Sequence, residues 1–318
     1  MNLAERAVAA AARLLPHPAD PTPSDLRRLR RGTPAGPPAQ LVTGVVPPSV
    51  RVRSHTVPGA GVDLAARVYR RAARAPGTHQ ERQLIVCLHG GGFVIGDPRQ
   101  TEWLCGRLAD ALDAVVVSVA YRRAPEHPAP IPADDCVAAV RWLARHAAQY
   151  GADPGRLGIV GVSAGATLAA LVAQRLRSDD LPVHRQVLVY PATDLTLSSA
   201  SIEEFAGGPI LTRPLLDWFG DRYLPAGPDG QPVFRGDDPR VSPLHADLTG
   251  LPSALIMVAG RDALRDDGIR YAHALQAAGS SAQLIIYADA MHGFISMPGI
   301  SPAAHRAART MIRFLGST

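Results

Sequence analysis

The period of the hydrophobic pattern changes repeatedly along the chain, and each change predicts an element. Leu84–Leu88 is an unbroken apolar run, as expected of a short strand covered on both faces. Glu102–Leu112 reads as a helix and Ala114–Val119 as a strand. Pro132–Tyr150 reads as a helix, with Ala133, Val137, Val140 and Leu143 at helical spacing. A strand at Leu157–Val160, a helix at Ala164–Arg177 and a strand at Gln186–Tyr190 follow. The alternation resumes with a strand at Ala254–Ala259, a helix at Gly268–Ala278, a strand at Ala282–Tyr287 and a closing helix at Pro302–Leu315. This pattern predicts an α/β fold whose mostly parallel sheet is flanked by helices.

Two segments stand outside the alternation. Residues 1–45 are rich in Ala, Arg and Pro and read as short helices with a Pro-rich connection. On the first of them Leu3, Ala7, Ala11, Leu14 and Leu15 form an apolar stripe, expected to face the domain; a lipid surface is the alternative. After them, R-V-R-S-H-T-V and D-L-A-A-R-V-Y alternate or run as edge strands. The second segment, residues 195–245, contains L-T-R-P-L-L-D-W-F-G-D-R-Y-L. Thr212 suits the N-cap of a helix there, Pro214 its first turn, and Leu215, Leu216, Phe219 and Tyr223 share one face. An extra helix this late in the alternation suggests a lid. The expected division is therefore a core of residues 46–194 and 246–318, interrupted by a lid at 195–245 and preceded by a separate helical segment at 1–45.

Composition narrows the classes. Apolar residues make up 47% of the chain and charged residues 19%, a globular balance. No apolar run approaches the roughly 18 residues a membrane helix needs. Glu5 and Arg13 break the N-terminal apolar stretch, so a secretory signal is not expected. The net charge is +5, and all 33 basic residues are arginine. Their one dense cluster, Arg27, Arg28, Arg30 and Arg31, reads as a solvated helix face. It has no interleaved aromatic residues, so nucleic acid is not an expected partner. Cys87, Cys105 and Cys136 lack C-x-x-C or zinc spacing and are expected as reduced core residues in a cytoplasmic protein.

The chemistry sits in short motifs beyond strand ends. G-V-S-A-G, Gly161–Gly165, lies between a predicted strand and a predicted helix, which is the setting of a nucleophile elbow with Ser163 at its apex. A serine nucleophile needs a base and an orienting acid. Asp262 in G-R-D-A-L and His292 in M-H-G-F follow the next strands in the order this fold requires. Three consecutive glycines, Gly90, Gly91 and Gly92, follow the Leu84–Leu88 strand and mark a close backbone approach. Other titratable residues compete. His89 is expected to shape the glycine loop, and His127 and His245 to be structural. Asp134 and Asp135, and Asp266 and Asp267, suit helix starts.

Together H-G-G-G-F, Y-R-R-A-P-E-H-P, G-V-S-A-G, D-P-R-V-S-P-L, G-R-D-A-L-R-D-D-G and H-G-F resemble the hormone-sensitive-lipase family of α/β-hydrolases, the bacterial family IV carboxylesterases, from about Arg51 onward. The resemblance implies an α/β-hydrolase core with a helical cap and a Ser163–His292–Asp262 triad. It implies an oxyanion hole from the N–H groups of Gly91, Gly92 and Ala164. Short- to medium-chain acyl esters would be the small-molecule substrates, with no metal or cofactor and no stable membrane insertion. Phe93, Phe205, Ile210, Leu211, Leu215 and Trp218 are expected to line the pocket. The family's habit of pairing through its last strand and helix would here use Ala282–Tyr287 and Pro302–Leu315 in a homodimer. Departures are Val162, Ala166 and Ala263 at positions often Asp or Thr, Gly and Pro, and Trp103, expected to reshape the pocket wall. The residues leave open an amidase, a lactonase or a drug-ester hydrolase using the same triad, and a non-catalytic ligand-binding protein on the same fold.

Overall fold

The structure is a computed structural model that describes residues 1–12, 22–30, 36–72, 81–180, 182–227 and 230–317. Three short helices come first: α1 Leu3–Ala12, α2 Pro23–Leu29 and α3 Pro37–Thr43. The core follows as β1 Val50–Pro58, β2 Asp63–Arg71, β3 Arg82–Leu88, α4 Glu102–Leu112, β4 Val115–Val119, α5 Ile131–Arg145, β5 Ala152–Val162, α6 Ala164–Arg175 and β6 Arg185–Val189. Two helices, α7 Ala200–Glu204 and α8 Arg213–Tyr223, precede β7 Ser253–Arg261, α9 Arg265–Ala277, β8 Ala282–Met291 and α10 Pro302–Gly316.

One eight-stranded sheet runs in the order β1-β2-β4-β3-β5-β6-β7-β8. β2 pairs antiparallel with β1 and β4, and the remaining pairs are parallel. β1 is thus an edge, whereas β2 is interior. Two cores explain why β3 is apolar throughout. Leu84, Val86 and Leu88 pack into one layer with α5, α6 and α9, while Ile85 and Cys87 pack into the other with α4 and α10. A strand covered on both faces has no polar side to offer. The three cysteines are buried free thiols.

Element boundaries differ from expectation at informative places. The long helix expected to reach Tyr150 ends at Arg145, and a tight turn, Ala147–Tyr150, leads to left-handed Gly151. β5 and β8 are longer than the apolar runs suggested, extending to Val162 and Met291. α9 begins three residues early, at Arg265, because Asp266 and Asp267 occupy its first turn.

The N-terminal helices depart more. Leu3 is 85% exposed and Ala7 is exposed, while Glu5 is buried. Leu3 and Ala7 of the stripe read from the sequence therefore face outward; the Ala11 side chain and residues Arg13, Leu14 and Leu15 lie outside what is described. Glu5 is buried because it closes the helix start. Its carboxylate accepts the Asn2 N–H at 2.8 Å, and its own N–H donates to Asn2 Oδ1 at 2.9 Å. Arg30 also departs from the solvated-face reading. Its guanidinium donates to the carbonyls of Val94, at 2.8 Å, and Ala124, at 2.6 Å, and pairs with Glu126. Arg31 lies outside the described residues.

Candidate active site

The sheet register assembles the site. Arg261 of β7 is paired with Met291 of β8, so the next residue on each strand, Asp262 and His292, emerge side by side. His292 Nδ1 lies 2.7 Å from Asp262 Oδ2, and its Nε2 lies 3.0 Å from Ser163 Oγ. Asp262 is held in turn by the Leu264 N–H, which donates to Oδ1 at 3.0 Å. A carboxylate on Nδ1 selects the tautomer with Nδ1–H, which leaves Nε2 free to accept the serine proton. Asp262 is fully buried, and His292 retains 8% exposure.

Ser163 stands at the junction of β5 and α6 with φ 55° and ψ −124°, a strained backbone for a residue with a Cβ. Its N–H donates to the Val189 carbonyl at 2.9 Å, fastening the turn to β6. The flanking glycines are obligatory. A Cβ on Gly161 would overlap the Gly165 carbonyl, and a Cβ on Gly165 would overlap the carbonyls of Leu88 and His89. Strain gathers here more widely. Among the described residues five non-glycines have positive φ, and four of them, Phe93, Ser163, Tyr190 and Leu197, line the same cavity.

The glycine loop runs past Ser163. Gly91 has φ 115° and Gly92 φ 56°. The Gly91 carbonyl accepts the N–H groups of Val94 and Ile95 at 3.0 and 2.9 Å. Among the described residues, no group accepts a hydrogen bond from the N–H of Gly91, Gly92 or Ala164, so all three donors remain available beside Ser163. The close approach that the glycines mark is made by the protein itself. A Cβ on Gly91 would strike the Ile95 carbonyl, and one on Gly92 the ring of Phe219.

These groups border a cavity of about 300 Å³. Phe93, Ile210, Leu211 and Leu215 line it as expected. Phe205 and Trp218 do not. Phe205 lies 5.4 Å beneath the Arg265 guanidinium, and Trp218 is covered by Arg222 at 4.2 Å and packs edge-on against Phe219. Trp103 does not reach the cavity either; from α4 it is buried against Gly44 and His305 of α10. Val162 contributes an apolar patch to the lining. Many lining residues escaped the sequence reading of the pocket, among them Tyr190, Leu197, Phe219 and Tyr223. Phe219 and Tyr223 had a signal, since they share the helical stripe of Leu215, whereas Trp218 lies off it. Tyr190, whose ring centroid is 4.5 Å from that of His292, had none beyond its place at a strand end.

The competing residues have other partners. His89 is buried, stacks on Tyr121 at 4.4 Å and donates from Nδ1 to the Gly90 carbonyl at 2.8 Å. Burial pushes its pKa down to about 4, so it stays neutral. His127 borders a separate surface hollow beside Arg30 and Glu126. His245 contacts Asp194 at 3.1 Å. Asp134 pairs with Arg175 at 2.5 Å. Asp135 is buried and pairs with Arg122 at 2.7 Å. Asp266 accepts the Ser201 N–H at 2.9 Å. Asp267 accepts the N–H groups of Thr193 and Asp194 at 3.0 and 3.1 Å and the Ser199 hydroxyl. Burial, with the nearby Asp194 charge, drives its pKa up to about 7 against the pull of those hydrogen bonds. Among the described residues no group of three or more His, Cys, Asp or Glu side chains is arranged to hold a metal ion, and no helix is long and apolar enough to cross a membrane.

An elbow serine, a histidine–aspartate pair and free N–H donors above a parallel sheet define an α/β-hydrolase. The sequence profile of the alpha/beta hydrolase fold matches residues 85–296. LipN, a carboxylic ester hydrolase of Mycobacterium tuberculosis, is 41% identical over 256 residues, which span 78% of this chain and 65% of LipN. Esterase LipI of the same organism is 39% identical over 267 residues, 82% of this chain and 80% of LipI. Among solved structures, the hyperthermophilic esterase of the archaeon Pyrobaculum calidifontis superposes with a TM-score of 0.82 at 32% identity, over 99% of this chain and 98% of that one. The chain belongs to the α/β-hydrolases, in their hormone-sensitive-lipase branch of family IV carboxylesterases, and is a carboxylic ester hydrolase.

Proposed function

We propose that the protein cleaves neutral, apolar acyl esters by a two-step acyl-enzyme mechanism. Ser163 Oγ attacks the ester carbonyl while His292 Nε2 takes its proton. Asp262 stabilises the imidazolium. The N–H groups of Gly91, Gly92 and Ala164 receive the tetrahedral oxyanion, with the positive end of the α6 dipole behind them. His292 returns the proton to the leaving alkoxide, and the alcohol departs. A water then gives a proton to the same nitrogen and attacks the acyl group, and Ser163 is regenerated as the acid leaves. The observation that carries this reading is the unbroken relay from Asp262 through His292 to Ser163, at 2.7 and 3.0 Å, opening on an almost wholly apolar cavity. Among the described residues, only Gln100 and Ser296 add side-chain polarity there, besides Ser163, His292 and the tyrosine hydroxyls, and no carboxylate or guanidinium lines it. A charged acyl group would lose its hydration without a partner. The volume suits short- to medium-chain acyl groups, and the segments 1–45 and 195–245 serve as the cap above it. Cytoplasmic residence and pairing into a homodimer through β8 and α10 belong to the same proposal.

Hydrolysis of p-nitrophenyl esters from acetyl to dodecanoyl, wild type beside Ser163→Ala, tests it. The expected result is turnover that peaks at short or medium chains and falls by about 10⁴-fold or more in the variant. Equal activity in the variant would overturn the nucleophile. Turnover of anilides or lactones in preference to every ester would replace the substrate class.

A further inference from the structure

Phe219 and Tyr223 stand four residues apart on α8 and therefore on one face of it. They meet two consecutive residues of the glycine loop. The Phe219 ring lies directly on Gly92, so closely that a Cβ there would overlap three of its carbons. The Tyr223 ring is stacked on Phe93, with centroids 3.8 Å apart and planes at 9°. Phe93 has φ 63°, a conformation that a phenylalanine leaves unless its surroundings hold it. The loop is fastened from its other side by hydrogen bonds, Val94 and Ile95 N–H to the Gly91 carbonyl and Ala124 N–H to the Phe93 carbonyl at 3.0 Å. The helix is itself anchored. Thr212 caps its start, its hydroxyl accepting the Leu215 N–H at 3.3 Å, and the Tyr223 carbonyl accepts the Ala129 N–H at 2.9 Å.

We infer that α8 is a clamp that pre-organises the oxyanion hole, with Phe219 and Tyr223 as positioning residues. The inference rests on the esterase reading above. An oxyanion hole works because its dipoles are already aimed when charge develops. Gly92 has no side chain to anchor it and sits at positive φ, so its N–H direction is set by what presses on its backbone. Phe219 presses on the backbone of Gly92 at the place a Cβ would occupy, between loop residues whose carbonyls are held by hydrogen bonds. The cap helix then contributes to the chemical step as well as to the shape of the pocket.

The test compares Phe219→Ala and Phe219→Leu with wild type on acetyl and hexanoyl p-nitrophenyl esters, together with inhibition by an alkyl trifluoromethyl ketone. Ser163 adds to that ketone to give a tetrahedral oxyanion. A clamp predicts that Phe219→Ala lowers kcat about 10- to 100-fold on both esters and weakens ketone binding by a similar factor, and that Phe219→Leu recovers much of both. A change confined to KM or to chain-length preference, with ketone affinity retained, would show that Phe219 is only pocket wall and overturn the clamp. If Phe219→Ala does not fold, the Phe219→Leu comparison decides between the same two outcomes. Wild type that neither turns over ester nor binds ketone would overturn the esterase reading itself, and the clamp with it.

Discussion

The loops after β3 and β5 and the segment that carries α7 and α8 both border one cavity, but they are built under different constraints. The glycines of the loops are enclosed by backbone. A Cβ on Gly91, Gly161 or Gly165 would collide with a backbone carbonyl, which cannot swing aside as the end of a flexible side chain does. In segment 195–245 the constraint is uneven: a Cβ on Gly208 or Gly236 would meet a carbonyl, but Gly207 and Gly220 have no atom of the described residues within 4 Å of the place a Cβ would occupy. The loops must hold polar atoms at fixed positions, so few residue types fit. The α7–α8 segment presents an apolar wall, and many side chains do that. Phe219 is where the two regimes meet, an α8 residue pressed against Gly92, where a Cβ has no room.

The sharpest way to break this comparison is Gly165→Ala. Forcing a methyl against the carbonyls of Leu88 and His89 is expected to cost about 3 kcal/mol of stability, at the upper end of overpacking, and to lower esterase turnover by displacing Ser163. Thermal melts and kcat read it together, and a variant matching wild type in both would refute the argument from crowding. A smaller effect is expected just before α7, where Asp267 ties Thr193, Asp194 and Ser199 to α9. Its folded pKa, about 7, lies above the ordinary carboxyl value. The folded state therefore holds this proton more tightly than the unfolded chain. The stability it confers is complete below about pH 4 and is lost as pH rises toward 7. Asp194 moves the other way. Burial raises its pKa, but hydrogen bonds from Thr196, His245 and Arg270 outweigh that and hold it at about 2, so it stays ionised across the window. Asp267→Asn imitates the protonated form, so its melting temperature relative to wild type should climb between pH 4 and 7. A constant difference across that range would remove Asp267 from the account. The smallest effect belongs to Gly220→Ala on α8. With open space and no positive φ, alanine should raise stability by about 0.4–1 kcal/mol, read as a slightly higher melting temperature. A loss there would mean that the cap is as tightly determined as the loops.

Where the sequence reading succeeded and failed follows the same division. Ser163, Asp262 and His292 were legible because each ends a strand in a short motif, and the structure brings them within hydrogen-bonding distance. The lining was only half legible. Ile210, Leu211 and Leu215 were found, but Trp218 was favoured for its size although Phe219 and Tyr223 lay on the stripe that turns inward. Trp103 was assigned to the pocket from its place after the glycine loop, yet its helix turns it toward α10 instead. On α1, hydrophobic periodicity pointed the wrong way because the carboxylate of Glu5 is used to close the helix.

By itself, the order of residues determined the alternation of strands and helices, the elbow, the chain order of serine, acid and histidine, and the need for glycine at the loops. These depend on local backbone conformation and on apolar period, which neighbouring residues encode. Tertiary structure alone decided that Arg261 and Met291 are register partners, that Arg30 bridges to the loops near Val94 and Ala124, and that Phe219 rests on Gly92. Each of those joins residues far apart in the chain, and such contacts are selected by how whole elements pack, not by any short run of sequence.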